Sequence, residues 1–148
     1  MIPLVVLVVS FVVLRGAGLL GIAALDSFGL PLRIALFLMF LLAASAHWGK
    51  GRPDLIRMVP PAFPRPDILV SVAGVLELLG AIGLLLPSTA RLAAACLALL
   101  LVTLFPANVR AARERLTILG RPVPGLLPRT AIQCVFVAAL AAVAIGPH

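Results

Sequence analysis

The feature that most constrains this chain is a series of long apolar runs almost empty of charge. Pro3 to Leu25 is interrupted only by Arg15, and Ile68 to Leu86 only by Glu77. Leu32 to Trp48 carries Arg33 at its edge, while Leu92 to Ala107 and Thr130 to Ile145 carry no charge. A helix rising about 1.5 Å per residue needs about 20 residues to cross about 30 Å of hydrocarbon. The runs at 32–48, 92–107 and 130–145 are short by that measure. Flanking Arg and Lys can snorkel, and each end can extend by a turn. Only helices and closed barrels satisfy every backbone group within lipid, and a barrel strand would alternate in polarity, which these runs do not. The sequence therefore predicts an all-α, polytopic transmembrane helical bundle. Its five spans are expected at 3–25, 32–48, 68–86, 92–107 and 130–145, within a single domain over 1–148.

Composition closes the soluble alternative. Charged residues make up 11% of the chain and hydrophobic ones 63%. Soluble domains carry about 25% charged residues, enough to cover a core. The net charge of +7 does not point to nucleic acid. The basic residues fall in short loops between apolar runs, where topology and anionic headgroups account for them, and no basic run is interleaved with aromatics as single-strand binders require. The first run lacks a basic leading segment, and no small-x-small cleavage site precedes Asp26, so it reads as a span rather than a signal peptide.

With five spans, Lys50, Arg52, Arg57, Arg65, Arg110, Arg113, Arg115, Arg121 and Arg129 fall on one side of the bilayer, against Arg33 and Arg91 on the other. The positive-inside rule makes the richer side cytoplasmic, with the N-terminus inside and the C-terminus outside. The loop GKGRPDLIRMVPPAFPRPD holds five prolines that forbid a long helix. One or two turns over Pro53 to Val59 can still lie in the interface, with Leu55, Ile56, Met58 and Val59 in lipid. The fourth helix is expected to continue past the membrane through NVRAARERL, and RPVPGLLPR to separate it from the fifth.

Ionisable groups inside a membrane are costly and so are the first candidates for a site. Glu77 and Arg15 both lie near the middle of their runs, and neighbouring helices would let them meet as a mid-depth ion pair. A pair that only fixes helix order and a ligand- or proton-responsive carboxylate are both open readings. The residues on the Glu77 face, Ala73, Gly74, Gly80 and Ala81, are small and fit either close helix packing or a pocket. His47, beside Trp48, ends the second span. Pro106 cannot donate to the Val102 carbonyl and is expected to kink the fourth helix just before Asn108. Gln133 lies one turn into the fifth span on the same face as Arg129. His47, Asn108, Gln133 and Arg129 thus form a cytoplasmic-side polar layer, with Glu77 and Arg15 deeper.

Cys96 and Cys134 lie at different depths, roughly 10–15 Å apart at helical rise, too far for a disulfide. There is no CxxC, and the histidines are His47 and His148. No protein-built zinc or iron–sulfur site is expected.

Several stretches resemble the DoxX family of small bacterial integral membrane proteins. They are SAHWGK with RMVPPAFPRPDILV, GVLELLGAIGLLLP, ALLLVTLFPANVRAA and LPRTAIQ, spanning roughly residues 43 to 133. The more specific parts are Gly74-x-x-Glu77 and Phe105-Pro106-Ala107-Asn108; Trp48 departs from the family, which more often has Phe after the histidine. The resemblance implies a four-helix core in the bacterial plasma (inner) membrane, to which the first span is an addition. Some relatives are linked to membrane redox systems, including quinone-coupled sulfur oxidation and thiol stress defence. The expectation is a non-catalytic membrane subunit or small-lipid-binding bundle, with Glu77 and Arg15 as its centre. His47, Asn108 and Gln133, with Arg129 in the same layer, would contact a quinone-like or lipid head group, or a membrane-associated oxidoreductase. One alternative is a structural or assembly protein docking other membrane proteins; another is a proton-coupled transporter or enzyme acting at Glu77. Membrane lipids are expected partners, nucleic acid is not, and homo-oligomerisation is left open.

Overall fold

The computed structural model describes residues 2–146. These residues form seven α-helices and one short hairpin: α1 (Ile2–Leu19), α2 (Gly29–Ser45), α3 (Arg52–Met58), α4 (Pro66–Leu85), α5 (Ala90–Thr103), α6 (Phe105–Arg113), β1 (Thr117–Ile118), β2 (Arg121–Pro122) and α7 (Leu126–Ile145). A single 3₁₀ turn, Ala23–Leu25, lies between α1 and α2. Among the described residues, four helices are long and apolar enough to cross a membrane: α1, α4, the α5–α6 rod over Ala90–Arg113, and α7. Gly29–Ser45 is apolar but shorter. This is the build of a membrane protein, and the faces left exposed are correspondingly apolar, such as Val5, Val9 and Val12 of α1 and Val72, Leu76 and Leu79 of α4.

The packing follows from where large and small side chains fall. Helices α2, α4, α5 and α7 form a closed ring in that order, each against the next, and α7 returns to α2. α1 lies outside the ring against α2. Ala35, Leu36, Met39 and Phe40 of α2 are almost wholly buried, as are Ala81 and Leu84 of α4, Ala94 and Leu97 of α5 and Leu140 of α7. Pairing Ala and Gly on one helix with Leu on the next lets the axes approach closely. A Cβ at Gly80 would stand 2.5 Å from Cγ of Leu97.

Several helix ends differ from the sequence expectation, each for a local reason. α1 stops at Leu19 rather than Leu25, because Gly21 takes φ +116°, a backbone open to glycine. The turn then folds Leu25 and Asp26 back over Gly18. Composition hides this stop, since Ala23, Ala24 and Leu25 are themselves apolar. α7 starts at Leu126 rather than Thr130. Pro128 falls in its first turn, where a missing N–H has no intrahelical partner to lose. The stretch before it is a hairpin with Ile118 opposite Arg121. Its turn residues, Leu119 and Gly120, both have positive φ (51° and 74°), as a two-residue type I′ turn requires. The break at Pro106 forms as expected, with α5 ending at Thr103 and α6 beginning at Phe105.

At one end of the ring, α3 packs on α4 and α6, and the hairpin packs on α3. Asp54 of α3 accepts the Leu119 N–H at 2.8 Å and pairs with Arg57, which also donates to the Thr117 carbonyl. The expected interfacial turns thus exist as α3, but Met58 is buried against protein rather than placed in lipid.

Candidate functional site: a buried histidine–glutamate pair

Gly74 makes the site. It lies on the α4 face that meets the end of α2, and a Cβ there would come within 2.6 Å of His47 Cβ and 2.9 Å of Trp48 Cη2. The absent side chain lets His47 pack directly against α4. One turn further on, the Glu77 side chain leans back towards the helix start, as helical side chains do. His47 Nε2 and Glu77 Oε2 stand 3.4 Å apart, with side chains only 10% and 7% exposed. The small residues of this face thus serve close packing, and room for a ligand beside Gly74 is filled by His47 and Trp48.

The tautomer of His47 follows from its other nitrogen. Nδ1 lies 2.7 Å from the Val70 carbonyl oxygen. A carbonyl only accepts, so Nδ1 carries a hydrogen and Nε2 is the atom turned to the carboxylate. Among the described residues, Oε2 has no hydrogen-bond partner. Arg52 closes the site from the α3 side. Its guanidinium donates to the His47 carbonyl (2.9 Å), the Asp67 carbonyl (3.1 Å) and Ser71 Oγ (3.0 Å), tying the chain after α2 to the first turns of α4.

Arg15 does not join this centre. It donates to the Leu25 carbonyl at 3.1 Å and pairs with Asp26 at 3.4 Å, and Asp26 is 63% exposed. The expected Arg15–Glu77 pair is thereby corrected. α1 ends early, so Arg15 falls in its last turns, and α1 packs against α2 rather than α4.

Asn108, Gln133 and Arg129 form a second, separate chain where α6 meets α7. Arg129 donates to Asn108 Oδ1, Asn108 Nδ2 donates to Gln133 Oε1 at 2.9 Å, and Gln133 Nε2 donates to the Leu101 carbonyl at 2.9 Å. That carbonyl lies just ahead of the Pro106 break, so the amide of Gln133 serves the backbone where the helix ladder is interrupted. Arg129 Nε is buried without a partner among the described residues. Sequence reasoning placed these three on one side of the membrane with His47, but not in a chain of their own.

Two arginines were missed by the sequence reading. Arg33, expected as an outer-side charge, is instead 8% exposed and donates to the Leu84 carbonyl at 2.6 Å and the Leu85 carbonyl at 2.7 Å. It caps the end of α4, where unsatisfied carbonyls and the helix dipole favour a cation. The signal was its setting, Leu-Pro-Leu-Arg-Ile-Ala-Leu, a charge with apolar residues on both sides. Arg52 carried no comparable signal. Cys96 and Cys134 are both free, and no cluster of three or more His, Cys, Asp or Glu suits a metal among the described residues. His148 lies outside the described residues.

A family model described as a domain of unknown function, DUF8561, matches residues 36–144. The chain belongs to this family. The DUF8561 match runs from within α2 into α7 and takes in His47, Glu77, Asn108, Arg129 and Gln133, while α1, Arg15 and Arg33 precede it. The matched segment therefore holds nearly all of the four-helix ring, and α1 lies outside both the ring and the DUF8561 match. No curated protein matches the chain, and no solved structure does.

Proposed function

We propose that this protein is a non-catalytic, DoxX-like subunit of the bacterial plasma membrane that docks a membrane-associated oxidoreductase or another membrane protein in a redox or stress setting. In this reading α2 is a fifth span, the N-terminus is cytoplasmic and the C-terminus outside. The observation that carries it is how the deep polar side chains are used. His47 and Glu77 join α2 to α4, Arg33 joins α2 to the end of α4, and Asn108 and Gln133 join the α5–α6 break to α7. Such groups set helix order and leave the cytoplasmic loops, with Arg113, Arg115 and Arg121, to meet partners. A quinone-like or lipid head group, if carried, belongs at the half-buried Arg129–Asn108–Gln133 chain, where a guanidinium is only partly satisfied, rather than at the closely packed Glu77.

The test is purification in mild detergent followed by mass spectrometry of bound small molecules and proteins. A co-purifying membrane oxidoreductase that is lost when Arg113, Arg115 and Arg121 are changed to Gln supports the proposal. A pH-dependent flux in liposomes that disappears with Glu77→Gln would replace it with a transporter.

A further inference from the structure

We propose that the His47–Glu77 pair is a proton-binding site, in which one proton lodged between Nε2 and Oε2 is part of the folded bundle. The inference deepens the reading of this pair as a helix-to-helix tie and rests on it. Because the Val70 carbonyl at 2.7 Å fixes the imidazole hydrogen on Nδ1, a neutral His47 turns the bare lone pair of Nε2 towards Oε2, 3.4 Å away. An ionised carboxylate there would set lone pair against lone pair with no other donor to Oε2 among the described residues. One proton resolves the conflict in either of two ways. It sits on Nε2, giving imidazolium and carboxylate, or on Oε2, giving a carboxylic acid that donates to a neutral ring. Both forms have zero net charge, which suits a site this shielded.

The surroundings hold little that would supply or displace that proton. From α3 the facing charge is Arg52, held by three acceptors. On α4 the other ionisable group is Asp67, exposed in the first turn. α5, packed on α4, carries Arg91 at its start and Cys96, both exposed. The remaining charges on helices packed against α2 are Arg15 on α1 and Arg129 on α7, each engaged in its own contacts.

Proton counting gives the signature. The proposed site holds its one proton in the folded chain. The unfolded chain holds two below the ordinary carboxylate range near ~4.3, one up to the ordinary imidazole value near ~6.5, and none above it. Stability from this pair is therefore flat between those limits. It falls on both sides, by up to about a tenfold change in the folding equilibrium per pH unit. Glu77→Gln substitutes an amide N–H that donates to Nε2, so no proton is needed. The variant should lose the alkaline fall and begin its acid fall earlier, in the imidazole range.

The experiment has two arms. Thermal melts of the full chain in mild detergent, wild type against Glu77→Gln across pH, should show the alkaline fall in wild type and its loss in the variant. Nitrogen-15 shifts of labelled histidine and the infrared carbonyl band of wild type at neutral pH should show either a protonated Nε2 or a protonated carboxyl. A neutral ring beside an ionised Glu77 in that spectrum, or parallel pH profiles for the two proteins, overturns the proposal. Failure to find a partner subunit leaves both arms untouched, so the two readings fall separately.

Discussion

Replacing Gly74 with Ala offers the sharpest test of how the site is built. By helix propensity alone the change should stabilise α4 by about 1 kcal/mol. The structure predicts the opposite sign. The new Cβ would stand 2.6 Å from His47 Cβ, 2.7 Å from His47 Cγ and 2.9 Å from Trp48 Cη2. His47 Cβ is fixed to the backbone and cannot swing aside, so the end of α2 must move. Overpacking of this kind costs about 1–3 kcal/mol, and three contacts under 3.0 Å belong at the upper end. Subtracting the propensity gain leaves a net loss of about 2 kcal/mol, or about 4–8 °C in melting temperature for a chain of this size. Gly16→Ala is the matched control: it lies within α1, and a Cβ there would meet nothing within 4 Å. The assay is a thermal melt in detergent of both variants beside wild type. A Gly74→Ala melt equal to or above that of the Gly16→Ala control would refute the claim that the missing side chain seats the imidazole.

The remaining predictions concern how the charges are shared out. A double-mutant cycle of Arg15→Gln and Glu77→Gln should be additive within about 0.5 kcal/mol, since Arg15 pairs with exposed Asp26; coupling above that would restore the rejected centre. Arg33→Met should lower stability by about 3 kcal/mol through loss of two charge-assisted hydrogen bonds to α4, and Arg33→Lys by less, as read by chemical denaturation in mixed micelles. Asp54→Ala should speed amide exchange at Leu119 and nick the hairpin open to protease. In wild type the Leu119 N–H, followed by Arg57, holds the Asp54 carboxyl below its ordinary value. That anchor is therefore intact above the ordinary carboxylate range and is lost as pH falls through the lowered value. Faster hairpin exchange on raising the pH from neutral, after correction for intrinsic rates, would contradict the assignment.

Much of the architecture was legible because bilayer solvation writes itself into sequence as uninterrupted apolar length. The five apolar helices, the α3 turns and the break at Pro106 all follow from that rule and from proline. The boundaries were less legible. The stop of α1 depends on a glycine backbone at Gly21 within residues that remain apolar, and the start of α7 on a proline that reads as a breaker but sits where proline is tolerated. The site was half legible. Glu77, His47 and Gly74 each stood out by residue type, yet their partnership depends on α2 ending against α4, a fact of helix adjacency with no sequence signature. Arg15 was misassigned for the same reason, because two charges at similar depth say nothing about which helices are neighbours.

The arginines near α3, α6 and the start of α7 have a double employment. During insertion a positive charge needs only to be counted, and lysine would serve as well. After folding, Arg52, Arg57, Arg110 and Arg129 each reach a backbone carbonyl or a side-chain oxygen of a neighbouring segment, work for which the planar fork is suited and a lysine ammonium is not. An all-lysine version of these four positions would keep its count of positive charges and lose the fastenings between α3, α6 and the start of α7, so charge-directed insertion and assembly can be separated by a change that leaves the net charge untouched.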